Sequence, residues 1–143
     1  KRNHTPYFKV GLKDGWLVVR EPSVLVQRTT AKEQPRRLIA AELPAEFLDK
    51  HQAVIVENHL NMVVPVGVPK VSLAALTAYL NSAVVDQVFR CISGSVAVSA
   101  YELSALPLPP VRKMKSVERL IELGCDQKEI ETAIERLYLR KGS

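Results

Sequence analysis

The chain has 143 residues, 47% hydrophobic and 24% charged, with a formal charge of +5 and a pI near 9.4. That balance is that of an ordinary soluble globular protein, and the length suits one domain with its own core and is short for two. No signal peptide and no bilayer-length apolar run is visible, so a cytoplasmic protein with no membrane partner is expected.

The positive charge is concentrated. Arg28, Lys32, Arg36 and Arg37 stand against Glu33 alone between positions 28 and 37, a distribution that favours a polyanionic partner. Three histidines and two cysteines are scattered without ligand-like spacing, which argues against a metal site and reads Cys91 and Cys125 as reduced thiols. The sequence begins at Lys1 and reaches its first Met at Met62, as expected of a fragment of a larger protein.

Residues 1–14 read as a polar, basic lead-in containing Pro6 and Gly11. Residues 16–20 and 24–28 are β-rich runs on either side of Glu21-Pro22-Ser23, predicting a well-buried antiparallel pair. The polar stretch 29–37, with Pro35, is too long for a tight turn and predicts an exposed loop. A third strand over 38–43 closes at Pro44, a helical turn follows over 45–50, and strands at 54–56 and 60–64 flank Glu57-Asn58-His59.

The longest apolar periodicity comes next. Leu73, Leu76, Leu80, Val84 and Val88 recur at three- and four-residue spacing with Ala75, Tyr79, Ala83 and Phe89 beside them, predicting a broad buried helical face. Asn81 and Ser82 prefer caps to helix interiors, so two short helices should meet there at a bend. Gly94 should end the second helix, with a short strand at Val96 and Val98 beyond it. Ser99 and Glu102 have capping-box spacing, and Pro107, Pro109 and Pro110 forbid continuation.

A helix over 116–123 is expected to stop at Gly124. Asp126 and Glu129 then open another, with Ile130, Ala133, Ile134 and Leu137 on one face. The expected fold is α+β. A twisted, partly barrel-like antiparallel or mixed sheet from residues 15–66 carries a helical module over 72–110 and a helical hairpin over 116–140, all within one domain spanning 1–143.

Residues 27–37 combine the side chains that read and hold duplex DNA. Arg and Lys pair with phosphates and guanine edges, Gln matches adenine's donor and acceptor together, and Thr meets a phosphate or a thymine methyl. A solvated charged loop is the plain alternative. Asn58, His59 and Asn61 allow two readings as well, a second DNA-facing loop or a turn in which Asn tolerates left-handed geometry. The hairpin permits a helix-turn-helix in outline. However, Glu118, Glu122, Asp126, Glu129, Glu131 and Glu135 outnumber Arg119, Lys128 and Arg136, and phosphate would repel so acidic a recognition helix. Packing or contact with a partner protein suits it better.

Several of these segments also carry a family resemblance. Leu80-Asn81-Ser82, Phe89, Ser93-Gly94, and Glu102-Leu103 leading into Leu106-Pro107-Leu108-Pro109 resemble the end of a target-recognition domain of adenine-specific DNA methyltransferases from restriction-modification systems. Type I specificity subunits carry a similar pattern. Upstream, Val24-Leu25-Val26-Gln27-Arg28-Thr29-Thr30-Ala31-Lys32-Glu33-Gln34 with Arg36-Arg37-Leu38, and Val56-Glu57-Asn58-His59-Leu60-Asn61, extend the likeness in the family's order.

The resemblance implies sequence-specific binding of duplex DNA through Arg28, Thr29, Thr30, Lys32, Gln34, Arg36, Arg37, Asn58, His59, Asn61, Ser93 and Ser95. Gln34 and Arg36 are the candidates for base readout and Lys32 for phosphate. It further implies a parent whose separate domain, or a modification subunit, binds S-adenosylmethionine and methylates an adenine rotated out of the duplex. That domain's parts are missing from this sequence. There is no Gly-x-Gly loop, and Asn3-His4-Thr5-Pro6-Tyr7 departs from Asn-Pro-Pro-Tyr at His4 and Thr5. The chain alone is therefore expected to bind DNA, with no cofactor and no catalysis of its own. A fragment of a type I specificity subunit, or a protein-interaction module built on the acidic hairpin, remain the alternatives.

Overall fold

The computed structural model describes residues 9–31 and 33–138. A 3-10 turn over Gly15–Leu17 leads into β1 (Val18–Val19), β2 (Ser23–Gln27), β3 (Ala40–Leu43), α1 (Ala45–His51), β4 (Val54–Ile55) and β5 (Leu60–Val63). The helices α2 (Leu73–Leu80), α3 (Ala83–Ile92), α4 (Ala100–Ser104), α5 (Val111–Glu122) and α6 (Gln127–Tyr138) follow. The architecture is mixed α+β, and the sheet does not close into a barrel among the described residues.

The β-rich run Ser23-Val24-Leu25-Val26-Gln27 forms the centre of a three-stranded sheet, antiparallel to β3 on one side and β5 on the other. Val24 and Val26 point the same way, as residues two apart in a strand must. They are fully buried with Leu38 beneath Ala75, Tyr79, Val85 and Phe89 of α2 and α3. Met114 and Val117 of α5 and Ile130 and Ile134 of α6 extend the same cluster.

The expected pairing of residues 16–20 with 24–28 does not form. β1 pairs instead with β4, Val18 opposite Ile55 and Val19 opposite Val54, as a separate two-stranded sheet. Pro22 has no N–H to donate to a ladder at this corner, and β2 already fills both of its edges. The burial predicted for the first run is likewise corrected: Trp16 is 82% exposed and Val18 and Val19 are only half-buried.

Asn81 and Ser82 divide the helical module where the sequence places the bend. Ser72 Oγ accepts from the Ala75 amide at 3.2 Å to cap α2, and Ser82 Oγ accepts from the Val85 amide at 3.4 Å to cap α3. Gly94 is not the stop. Helix α3 ends at Ile92 and turns extended at Ser93. The strand expected at Val96 and Val98 reduces to a single bridge between Thr29 and Ala97. The capping box of Ser99 and Glu102 is fully formed.

Helix α5 begins at Val111, directly after Pro110, rather than at Ser116. Amides in a first helical turn have no intrahelical acceptor, so a Pro at the entry costs nothing, and Met114, Val117 and Ile121 make one continuous inward stripe. Gly124 adopts φ 69° and ends it. Asp126 and Glu129 cap α6 reciprocally: the Glu129 amide donates to Asp126 Oδ1 at 2.8 Å and the Asp126 amide to Glu129 Oε2 at 3.1 Å.

Two acids of the hairpin are turned inward. Glu118 accepts from the Ser72 amide at 2.8 Å and pairs with Lys115, and Glu131 accepts from the Ala83 amide at 2.6 Å. Each carboxylate meets the positive end of a helix, α2 and α3 respectively, so part of the acidity serves to seat the hairpin on the module.

Candidate nucleic-acid interface

The chain leaving β2 runs between the β4–β5 turn and the segment after α3. The Arg28 amide donates to His59 O at 2.7 Å, and the Val98 amide donates to Arg28 O at 2.7 Å. Thr30 gives both its amide, at 3.2 Å, and its hydroxyl, at 2.7 Å, to Val96 O. Asn61 Nδ2 reaches Val98 O at 2.7 Å. Segments separated in sequence by tens of residues thus share one surface, since every buried backbone group in them must find a partner.

Beyond Thr30 the loop closes on itself. The Gln34 amide donates to Ala31 O at 3.1 Å, and the Ala31 amide donates to Gln34 Oε1 at 3.0 Å. It then meets α3. Asp86 Oδ1 accepts from the amides of Arg37, at 2.5 Å, and Leu38, at 2.8 Å, while Oδ2 accepts from Arg90 Nε at 2.7 Å. Arg90 Nη2 in turn donates to Pro35 O at 2.7 Å. Burial pushes the Asp86 carboxyl up, but the Arg90 guanidinium and the Leu38 and Arg37 amides outweigh it and hold the group below its usual range.

Asn81, at the bend, completes the attachment. Its side-chain amide accepts from the Ala40 N–H and donates to the Ala40 C=O, both at 2.8 Å. This is the pattern of one strand rung, and it covers the outer edge of β3. The Arg36 guanidinium donates to Asn81 O. The stretch expected to be an exposed loop is exposed at Thr29, Ala31, Glu33, Pro35 and Arg36, whereas Thr30 is buried and Gln34 and Arg37 are half-buried.

Of the residues singled out in the sequence, Arg28, Thr29, Arg36, Asn58, His59 and Ser95 are exposed, and Gln34, Arg37 and Asn61 are half-buried. Thr30, 2% exposed, and Ser93, 4%, face inward. Arg37 Nη1 donates to Thr30 Oγ1 at 3.2 Å and Ala31 O at 3.1 Å. Ser93 supports Glu102, whose carboxyl is held low first by the Ser93 hydroxyl and then by Ser99. Lys32 and the pentad at 3–7 lie outside the described residues.

His59 leans on Glu57. The His59 amide donates to Glu57 Oε2 at 2.9 Å and the ring Nδ1 sits 2.6 Å from Oε1. That amide is the main reason the Glu57 carboxyl lies below its usual range; burial pushes the other way, and the contact with the His59 ring lowers it further. Sequence reasoning missed Asn81, Asp86 and Arg90 as parts of this surface. The available signal was a carboxylate inside the apolar run Val84-Val85-Asp86-Gln87-Val88-Phe89, with an arginine four positions on.

A different surface lies beside the open edge of β5. Met62, Val64, Leu76, Leu80, Leu103 and Leu108 line most of a groove of about 410 Å³, whose apolar walls suit neither phosphate nor a charged ligand. Among the described residues no group of three or more His, Cys, Asp or Glu is placed to hold a metal ion, and no helix is long and apolar enough to cross a membrane.

The chain is similar to type II methyltransferases. It is 33% identical over 131 residues to the type II methyltransferase M.BsuBI of Bacillus subtilis, a match covering 87% of this chain and 26% of that protein. It is also 32% identical over 103 residues to the type II methyltransferase M.PstI of Providencia stuartii, covering 71% and 20% respectively. The chain thus spans 26% or less of the length of these curated relatives. No protein-family profile matches the chain, and no solved structure does.

Proposed function

We propose that the chain is the target-recognition region, a single domain over residues 1–143, of a cytoplasmic adenine-specific DNA methyltransferase from a restriction-modification system. One observation carries the reading: residues 28–30, 59–61 and 96–98 converge on one surface, with Arg28 exposed upon it and Arg36 exposed farther along the same loop. The similarity to one region of type II methyltransferases supports it. On this reading Arg28, Arg37 and Lys32 neutralise phosphates, Gln34 and Arg36 reach base edges in the major groove, and Asn58, His59 and Ser95 flank them.

S-adenosylmethionine does not fit the described residues. The glycines stand singly, with no Gly-x-Gly cradle, and the groove beside β5 is lined mainly by Leu, Val and Met with no carboxylate for a ribose. The cofactor and the methyl transfer belong to a catalytic domain of the parent. Two relatives that are type II methyltransferases weigh against a type I specificity fragment. The inward-facing Glu118 and Glu131 weigh against a free acidic docking module.

Selection from a randomised duplex library, with binding measured across a salt series, tests the proposal. A short enriched motif is expected, with a log–log salt slope near −3 if roughly three or four phosphates are neutralised at about 0.9 each. Binding that enriches no motif, or that ignores salt, overturns it.

A further inference from the structure

We infer that Asp86 and Arg90 on α3 are positioning residues for base selection, fixing the backbone on both sides of Arg36 so that the loop presents its side chains in one geometry. The inference rests on the DNA-recognition reading above. Its structural basis is that the pair brackets a single residue. Arg90 Nη2 holds Pro35 O at 2.7 Å, just before Arg36, and Asp86 Oδ1 holds the Arg37 amide at 2.5 Å, just after it. The two side chains are joined to each other at 2.7 Å, so the bracket is continuous.

The chemistry is costly unless it has a use. Asp86 is 4% exposed and sits among Val84, Val85, Val88 and Phe89, where an apolar side chain would fill the same helical face. Burying a carboxylate costs desolvation even when it is paired, and an apolar residue of similar size is often as stabilising. What the pair supplies here is direction, because a carboxylate with both oxygens occupied permits only one placement of the loop amides. Base readout demands that placement: a bidentate contact fails when its group drifts by roughly half an ångström. A phosphate contact through a long, flexible side chain does not.

Loosening this bracket should lower discrimination and leave affinity in place. Arg90→Lys keeps the positive charge beside Asp86, but an ammonium is a point charge and lacks the planar fork that spans Asp86 and Pro35 O together. Asp86→Asn turns one oxygen into a donor that opposes Arg90 Nε. In both variants the preference for the selected duplex over its single-base variants should fall about tenfold, while affinity for random duplex and the salt slope stay within about twofold of the parent chain. Amide hydrogen exchange at Arg37 and Leu38 should quicken in Asp86→Asn, and a control, Gln87→Ala on the exposed side of α3, should change none of these.

The experiment is library selection followed by competition binding on the full chain, its two variants and the control, with exchange measured on the same samples. Arg90 is 39% exposed at its side chain, so Arg90→Lys remains decisive should Asp86→Asn fail to fold. If the unaltered chain enriches a motif and Arg90→Lys reads it with undiminished preference, the pair is merely structural and the inference falls while the DNA reading stands. If the unaltered chain enriches nothing, both fall together.

Discussion

Arg36 and Thr30 lie in one loop and do opposite work. The Arg36 side chain is exposed and rests on a single carbonyl, Asn81 O, a contact that DNA can replace without disturbing the fold. Arg36→Ala should therefore leave stability nearly unchanged and lose roughly 1–3 kcal/mol of discrimination at one base position, measured by competition against single-base variants of the selected duplex. An unchanged preference at every position would move the reading head away from this loop. Thr30 is buried, and its hydroxyl serves both Val96 O and the Arg37 guanidinium. Thr30→Val keeps the shape but leaves Arg37 Nη1 with Ala31 O alone. A loss of about 1 kcal/mol in urea unfolding is expected.

Among the elements, α2 contributes more than apolar area. Its C-terminal Asn81 supplies the rung that closes the β3 edge, and its Tyr79 hydroxyl donates to Pro107 O at 2.9 Å and lies against the Tyr138 hydroxyl of α6. Burial, with Tyr138 adding to it, pushes the Tyr79 phenol far above its ordinary value, so it remains a neutral donor at any working pH. Tyr79→Phe should destabilise the fold by about 1–2 kcal/mol through the unpaired Pro107 carbonyl, with DNA preference intact. A concurrent loss of preference would mean that the helical module transmits its strain to the loop. The loop's geometry was invisible to pattern reading for a related reason. Residues 29–37 carry turn and surface composition, and only the arrival of α3 from about fifty residues away decides which backbone groups are held.

For the whole molecule, acid is the informative perturbation. Asp86 and Glu118 both lie below their ordinary values of 3.8 and 4.5. Burial acts upward on Asp86 but is outweighed by Arg90 and the loop amides. On Glu118 Lys115 acts first, opposed by burial and aided by Ser72. A carboxyl depressed in the folded state contributes stability that is present above its unfolded pKa and is lost as pH falls through the lower folded value. Stability should hold from neutrality down to the mid-4 range and decline below it, as urea midpoints across a pH series will read. Glu118→Gln should start lower and decline less steeply, whereas an equal slope would show that the seat of the hairpin does not depend on that charge.

Element types were legible in the sequence wherever periodicity and capping residues acted locally. The β-rich run of β2, the bend at Asn81-Ser82, the capping boxes at Ser99 and Asp126 and the stop at Gly124 all follow from side chains within four residues of the structure they cause. The candidate surface was legible only as a set of side-chain types. Strand partnership was not legible: β1 chose β4, and β2 chose β3 and β5, because pairing compares edges from distant positions and a local turn such as Glu21-Pro22-Ser23 is silent about it. The roles within the surface were decided the same way. Thr30 and Ser93 turned inward, Arg36 stayed exposed at the surface, and Asp86, set in an apolar helix pattern, became the anchor of a loop about fifty residues before it, because each buried polar group takes whichever partner the tertiary fold brings within reach.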